Sequence, residues 1–219
     1  MENELTKMLS TALTGWDNSR ARSTQVEIGP SSIGGCRRKV WHDLQRTPET
    51  NHTEGLAAIL GTFIHAGISE AIKREDPFGD NFLIEQEFSC EGMKGHVDLF
   101  IKDQGLVVDW KTTTKKNLRY FPSDQQRMQV QIYGWLLENN GHDVQNVSLV
   151  VIPRDGHMNE IRSYVEPYNP EVAEAGLLWL QEIEDAEEAP APEKYPSYCA
   201  LYCKFFDATG EVGCRGIQK

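Results

Sequence analysis

Two aspartates and a lysine, Asp98, Asp109 and Lys111, stand inside two apolar runs joined by a short polar connection. The runs are Gly95-His96-Val97-Asp98-Leu99-Phe100-Ile101 and Leu106-Val107-Val108-Asp109-Trp110-Lys111-Thr112. Lys102-Asp103-Gln104-Gly105 lies between them and ends on glycine, the pattern of a β-hairpin. With the turn centred between Asp103 and Gln104, antiparallel pairing sets Asp98 across from Asp109 and His96 across from Lys111. Directly opposed carboxylates, with Cβ atoms about 4.5 to 5.5 Å apart, repel each other, and a cation between them removes the repulsion. Oxygen ligands on strands suit a hard divalent ion such as Mg²⁺ or Mn²⁺. Asp109 and Lys111 are two apart and share a face, so the lysine stands beside that ion. There it can hold or protonate an attacking water, or stabilise charge developing on a phosphorane. The ordinary alternative is a solvated pair on an exposed face. Against it, Asp109 interrupts Leu106-Val107-Val108 where a buried hydrophobe is expected.

The elements that must position these groups follow from periodicity. Residues 2 to 14 have helical spacing at Leu5, Met8, Leu9, Ala12 and Leu13, and a polar stretch then runs through Gln25. A turn at Ser31 to Gly35 feeds a short helix carrying Cys36 and Arg37-Arg38-Lys39. From about Glu54 to Arg74 a stripe at Leu56, Ile59, Leu60, Phe63, Ile64, Ile68 and Ile72 predicts an amphipathic helix, with His65 just past its centre. Phe82 to Ser89 reads as a strand with Leu83, Glu85 and Glu87 on one face and Phe82, Ile84, Gln86 and Phe88 on the other. An approach of Glu87 to the metal face is conceivable there, although an exposed strand carboxylate explains it. Ser123 caps a helix through about Asn139, with Met128, Ile132, Trp135 and Leu136 as its buried stripe and Gln129 and Tyr133 sharing a neighbouring face. Val147–Pro153 and Glu160–Glu166 read as two further strands, Pro170 to about Ala186 as a helix, and the acidic stretch Glu182–Pro196 as a linker. The sum is an α/β (α+β layered) fold, a mixed sheet flanked by helices.

The chain has 219 residues, of which 39% are hydrophobic and 25% charged, which fits one globular core with a small appendage. No run reaches a membrane span, and Met1-Glu2-Asn3-Glu4 does not open a signal peptide, so a cytoplasmic location is expected. A net charge of −11 argues against indiscriminate nucleic-acid binding and requires a local basic surface for any polyanion. Lys111 with Lys115, Lys116 and Arg119 supplies one directly after the hairpin. Tyr120, Phe121 and Tyr133 offer aromatic surfaces for a single strand, or core side chains. The five cysteines are Cys36, Cys90, Cys199, Cys203 and Cys214. Three crowd the end of the chain, Cys36 is the natural fourth, and Cys90 reads as structural. Four thiolates could hold zinc or a 4Fe-4S cluster.

Taken together the residues resemble the RecB-like branch of the PD-(D/E)xK nuclease superfamily, most closely the CRISPR-associated exonucleases of the fourth Cas family and their phage relatives. The resemblance is carried by Gly61-Thr62-Phe63-Ile64-His65, Gly95-His96-Val97-Asp98, Asp109-Trp110-Lys111, Gln129 with Tyr133, and the four cysteines. It implies a restriction-endonuclease-like fold in which His65, Asp98, Asp109 and the main-chain carbonyl of Trp110 bind a catalytic Mg²⁺ or Mn²⁺. Lys111 would then be the catalytic lysine, and Gln129 and Tyr133 would position the DNA or the lysine. It also implies a 4Fe-4S cluster on Cys36, Cys199, Cys203 and Cys214.

The expected organisation is an N-terminal helical part (1–50) carrying Cys36, a nuclease core (51–185) and a C-terminal cysteine-bearing tail (186–219) packing on the N-terminal part. The expected function is metal-dependent hydrolysis of DNA by an exonuclease acting on single strands or ends. Its partners would be DNA and proteins of recombination, repair or CRISPR adaptation. The alternatives are a structure-specific DNA endonuclease of the same fold and a non-catalytic nucleic-acid-binding subunit built on the cysteine-held metal.

Overall fold

The computed structural model describes residues 2–18, 28–51, 55–76 and 78–218. Met1, most of the polar stretch that ends at Gln25, and Glu54 lie outside the described residues. A five-stranded mixed sheet runs β1 (Phe82–Cys90), β2 (Met93–Ile101), β3 (Leu106–Thr113), β4 (Asn146–Pro153) and β5 (Arg162–Pro167), with spatial order equal to chain order. Only β3 and β4 pair in parallel among these neighbours. A parallel pair needs a crossover, and helix α4 (Asp124–Asn139) supplies it.

The β2–β3 connection is a 3₁₀ turn at Lys102–Gln104 closed by Gly105 at φ 54°, where a Cβ would come 2.7 Å from the Asp143 carbonyl oxygen. The pairs Leu99↔Val108, Phe100↔Val107 and Ile101↔Leu106 have the register expected from the sequence. Asp98 and Asp109 stand one step beyond the end of that ladder.

Ser123 begins α4 with a capping box: its hydroxyl accepts the Gln126 N–H, and the Gln126 side chain accepts the Ser123 N–H. Every residue from Gln129 to Leu137 is buried, a wider burial than the stripe the sequence suggests. The sheet covers one side of α4, and helix α5 (Pro170–Glu184) and the turn at Pro30–Ser32 cover the other. The main core therefore joins Val97, Phe100 and Val147 of the sheet to Ile132 and Leu136 of α4 and Ile183 of α5. The opposite face carries a smaller cluster of Leu99, Val108 and Trp110, roofed by Ile68 and Ile72 of α3 (Leu56–Ile72). The first half of α3 lacks such cover: Leu56, Leu60 and Phe63 are exposed, and Trp16 of α1 (Glu2–Asn18) stacks on Phe63.

Strand β1 departs from simple alternation. Leu83 and Phe88 both face the main core, while Phe82 and Ile84 face the smaller cluster. On β2, Val97 and Phe100 face the main core and Leu99 the smaller one. The ladder is continuous in register on both sides of one missing rung, Glu85 opposite Asp98, and Glu85 has φ 51°. Both strands thus invert their faces at the same rung. A left-handed conformation at a non-glycine residue costs on the order of 1–3 kcal/mol.

Further along, residues 158–160 form a 3₁₀ turn, so β5 begins at Arg162. The cysteine region contains a helix the sequence did not announce, α6 (Pro196–Tyr202). Its Cys199, with Cys203 just after it, lines one small pocket with Cys36 and with Arg38 and Lys39 of α2 (Arg37–Leu44). Thr50 and Asn51 donate their N–H groups to the Lys204 carbonyl at 2.9 Å, and Lys204 pairs with Asp43 at 3.0 Å. Arg38 donates to the Pro190 carbonyl at 2.9 Å.

Candidate active site

Asp98 is 1% exposed, and its Oδ2 accepts the Trp110 N–H at 3.0 Å, a bond that ties β2 to β3 past the end of their ladder. His65 of α3, half-buried, places Nδ1 3.6 Å from the same oxygen. The inverted rung brings Glu85 to the same spot. Among the described residues, His65, Glu85 and Asp98 are the group whose nitrogen and oxygen ligand atoms lie within 4.8 Å of one another. Ser69, one turn after His65, has Oγ 2.9 Å from both Glu85 Oε1 and the His65 carbonyl oxygen and can donate its single proton to either.

Asp109, also 1% exposed, stands on the α4 side. Lys111 Nζ lies 2.8 Å from each of its carboxylate oxygens and donates to Oδ1. Gln129 donates to the same Oδ1 at 3.2 Å and to the Tyr133 hydroxyl at 2.9 Å. Oδ2, buried, has the contact with Lys111 Nζ and no other hydrogen-bond partner. Burial pushes the Asp109 carboxyl up to about 6; Lys111 opposes the rise and Asp98 adds to it.

A cleft of about 980 Å³ opens over these groups, bordered by His65, Glu85, Lys111, Arg154 and Tyr202. The structure therefore gathers His65, Asp98, Asp109 and Lys111, with Gln129 and Tyr133 beneath them. Tyr133 is 1% exposed and presents no face to a passing base, Phe121 packs half-buried against the main core, and Tyr120 is 66% exposed with Arg119 over its ring. Lys115 pairs with Glu160 at 2.7 Å, while Lys116 is exposed on the turn after β3. Glu87 points elsewhere, its carboxylate 3.4 Å from His96.

Glu85 is the site residue that sequence reasoning missed. A signal existed: Glu91-Gly92 reads as a two-residue turn, and pairing about it sets Glu85 opposite Asp98. What no periodicity could show is the face inversion at that rung.

Cys36, Cys199, Cys203 and Cys214 line one small pocket between the start of α2 and α6, and Cys90 packs separately against the main core. Burial pushes the Cys199 thiol up to about 11, reinforced by the neighbouring Cys203, Cys214 and Cys36. Burial also raises Cys203.

The family profile described as the PD-(D/E)XK nuclease superfamily matches residues 36–207. Among solved structures, SSO0001 superposes with a TM-score of 0.58 at 21% identity, covering 92% of this chain and 94% of that one. That likeness is one of fold. An alkaline exonuclease from Laribacter hongkongensis (LHK-Exo) matches with a TM-score of 0.48 at 12% identity over 74% of this chain and 90% of its own. A phage related exonuclease from Haemophilus somnus matches with 0.43 at 13% over 68% and 81%. No curated protein matches by sequence. No helix among the described residues is long and apolar enough to cross a membrane.

Proposed function

The chain belongs to the PD-(D/E)XK nuclease superfamily, and from that premise we propose that it hydrolyses DNA phosphodiester bonds as a divalent-metal-dependent exonuclease. The observation that carries the proposal is the convergence of His65, Glu85 and Asp98 beside the buried Asp109–Lys111 pair, with His65, Glu85 and Lys111 lining one cleft.

The donor set fits a hard divalent cation. It offers carboxylate oxygens and one imidazole nitrogen, and the buried Asp109 Oδ2 is met only by the Lys111 ammonium. His65, Glu85, Asp98 and Asp109 would hold Mg²⁺ or Mn²⁺, with the Trp110 carbonyl adjacent. Bound there, such a cation polarises the phosphate and lowers the pKa of water. The protein's own residues do the rest. Lys111, half-buried at the end of β3, orients the attacking water and offsets charge developing on the phosphate oxygens. Gln129, held from below by Tyr133, fixes Asp109 Oδ1 and so sets where Lys111 points. The Trp110 N–H keeps Asp98 turned inward. Arg154 and the exposed Lys116 supply positive charge for the strand's phosphates.

The finer placement near the CRISPR-associated exonucleases, and the exonucleolytic mode itself, rest on the resemblance of the motif set. We further infer that Cys36, Cys199, Cys203 and Cys214 hold a 4Fe-4S cluster. Four thiols from three chain segments facing one pocket support this. A tetrahedral zinc site, with Zn–S near 2.3 Å, sets sulfurs roughly 3.8 Å apart. Among the described residues, no three of these sulfurs come within 4.8 Å of one another.

The deciding experiment offers end-labelled linear single- and double-stranded DNA, and closed circular DNA, to the protein with Mg²⁺ or Mn²⁺. Linear molecules are degraded from an end and circles survive. Cleaved circles establish the endonuclease alternative. No cleavage with any metal removes the nuclease assignment.

A further inference from the structure

We propose that Tyr198 and Tyr202, on the outer face of α6, form a stacking platform for unpaired bases of a single DNA strand entering the active-site cleft. The inference rests on the nuclease reading and adds the surface that selects its substrate.

Three observations converge on it. The first is the character of α6. Tyr195, Tyr198, Leu201 and Tyr202 are 56%, 52%, 64% and 63% exposed, so one seven-residue helix and its cap present four large apolar side chains to solvent. Its cysteines do the opposite, with Cys199 buried and Cys203 half-buried in the pocket behind. A concentration of this kind marks a binding surface.

The second is geometry. Tyr198 and Tyr202 are four residues apart and share a face, with ring centroids 4.9 Å apart and planes inclined by 45°. Both residues remain more than half exposed in that arrangement.

The third is position. Tyr202 borders the same cleft as His65, Glu85 and Lys111, so the platform is continuous with the catalytic floor. Arg154 and Lys73 border it as well, giving cationic groups for the phosphates of a strand whose bases lie on the tyrosines. Aromatic faces accept any base, because every base has a π-face, but only an unstacked base can reach them. The occupant is therefore single-stranded DNA, held without sequence preference, and a blunt duplex gains nothing from the tyrosines. Of the other aromatic candidates, Tyr133 is buried and Phe121 packs half-buried against the core, while Tyr120, 66% exposed with Arg119 over its ring, is not among the residues that border this cleft.

The test measures binding of fluorescein-labelled dT15 and of a 15-base-pair blunt duplex by anisotropy, with Ca²⁺ in place of Mg²⁺. The proteins are wild type, Tyr198→Ala/Tyr202→Ala and Tyr198→Phe/Tyr202→Phe, each checked for an unaltered thermal transition. The alanine pair is expected to bind dT15 at least about tenfold more weakly while duplex affinity holds, and the phenylalanine pair to bind dT15 like wild type. Unchanged dT15 affinity in the alanine pair, an equal loss on the duplex, or a phenylalanine pair as weak as alanine each overturns the platform. Hydrolysis of the p-nitrophenyl ester of thymidine 5′-monophosphate by wild type with Mn²⁺ separates the two levels. If wild type cuts the ester and the alanine pair binds dT15 normally, the platform alone falls. If wild type neither cuts the ester nor binds either DNA, the nuclease reading falls with it.

Discussion

The active-site cleft and the cysteine pocket gather their chemistry by different means. The cleft takes Glu85, Asp98, Asp109 and Lys111 from three adjacent strands, and the hydrogen bonds of Asp98 to Trp110 and of Asp109 to Gln129 hold the carboxylates in place. The cysteine pocket draws on residues 36, 199, 203 and 214, brought together by short helices and loops. In the cleft the sheet does the positioning, so a metal arrives at groups already placed. In the pocket the thiols sit on short helices and loops tied by separate hydrogen bonds and the Lys204–Asp43 pair, and a bound cluster would add a cross-link between those distant segments. A sheet-built site fails through its chemistry, and a loop-built site fails through its stability.

That difference is tested most sharply by Lys111→Ala. Removing a positioned donor of transition-state charge is expected to lower the cleavage rate by about 10²–10³-fold. The fold should persist, because Asp109 can take up a proton instead of remaining a buried unpaired charge. End-labelled DNA degradation gives the first quantity, and circular dichroism with a thermal melt gives the second. A variant that cuts at the wild-type rate breaks the assignment of the cleft. One that fails to fold shows that the sheet alone does not hold the site.

A smaller effect, opposite in kind, is expected in the pocket. Cys199→Ser in protein loaded with its cluster should lower the melting temperature by roughly 5–10 °C, taking a loss of about 2–3 kcal/mol and 2–4 °C per kcal/mol for a chain of this size. Limited trypsin digestion should then cut first within residues 186–217. Iron and sulfide analysis of the wild type identifies the ligand. An unchanged melting temperature would mean that the pocket only packs four thiols as small apolar groups.

How much of this could be read from the sequence follows the same division. The hairpin was legible because its turn chemistry and its alternation agree, and its register came out rung for rung at Leu99↔Val108. The flanking helices were legible from their stripes, although α4 is buried on all sides because α5 covers the face that a surface helix would expose. Glu85 was not legible. Alternation assumes that each strand keeps its faces, and a left-handed residue at that rung, matched on the partner strand, reverses them. Helix α6 escaped as well: seven residues are too few for a helical period to register, and its apolar side chains point outward rather than inward. The two features that sequence patterning missed are the third group of the proposed metal site and the proposed strand platform, places where local pattern and tertiary role disagree.

The finest distinction between the two regions lies in their response to pH without metal. The Asp109 carboxyl, raised by burial to about 6 from roughly 3.9 in an unfolded chain, binds its proton more tightly in the folded state. Its contribution to stability is complete below about pH 4 and is lost as pH rises through about 6. The Cys199 thiol follows the same sign at the other end of the scale. Raised to about 11 from roughly 8.5, it costs stability as pH rises between those values. Urea midpoints of the metal-free protein should therefore respond in two separate windows, with Cys203, also raised by burial, adding to the alkaline fall and His42, lowered by burial, opposing the acid one. Asp109→Asn should remove the fall in the acid window alone, and Cys199→Ser should reduce the fall in the alkaline window alone. Mg²⁺ should abolish only the first, since the cation replaces the proton on Asp109 and leaves the thiols as they were. If Mg²⁺ altered both windows, the cleft and the pocket would be energetically coupled, and their separation into a sheet-built and a loop-built site would not hold.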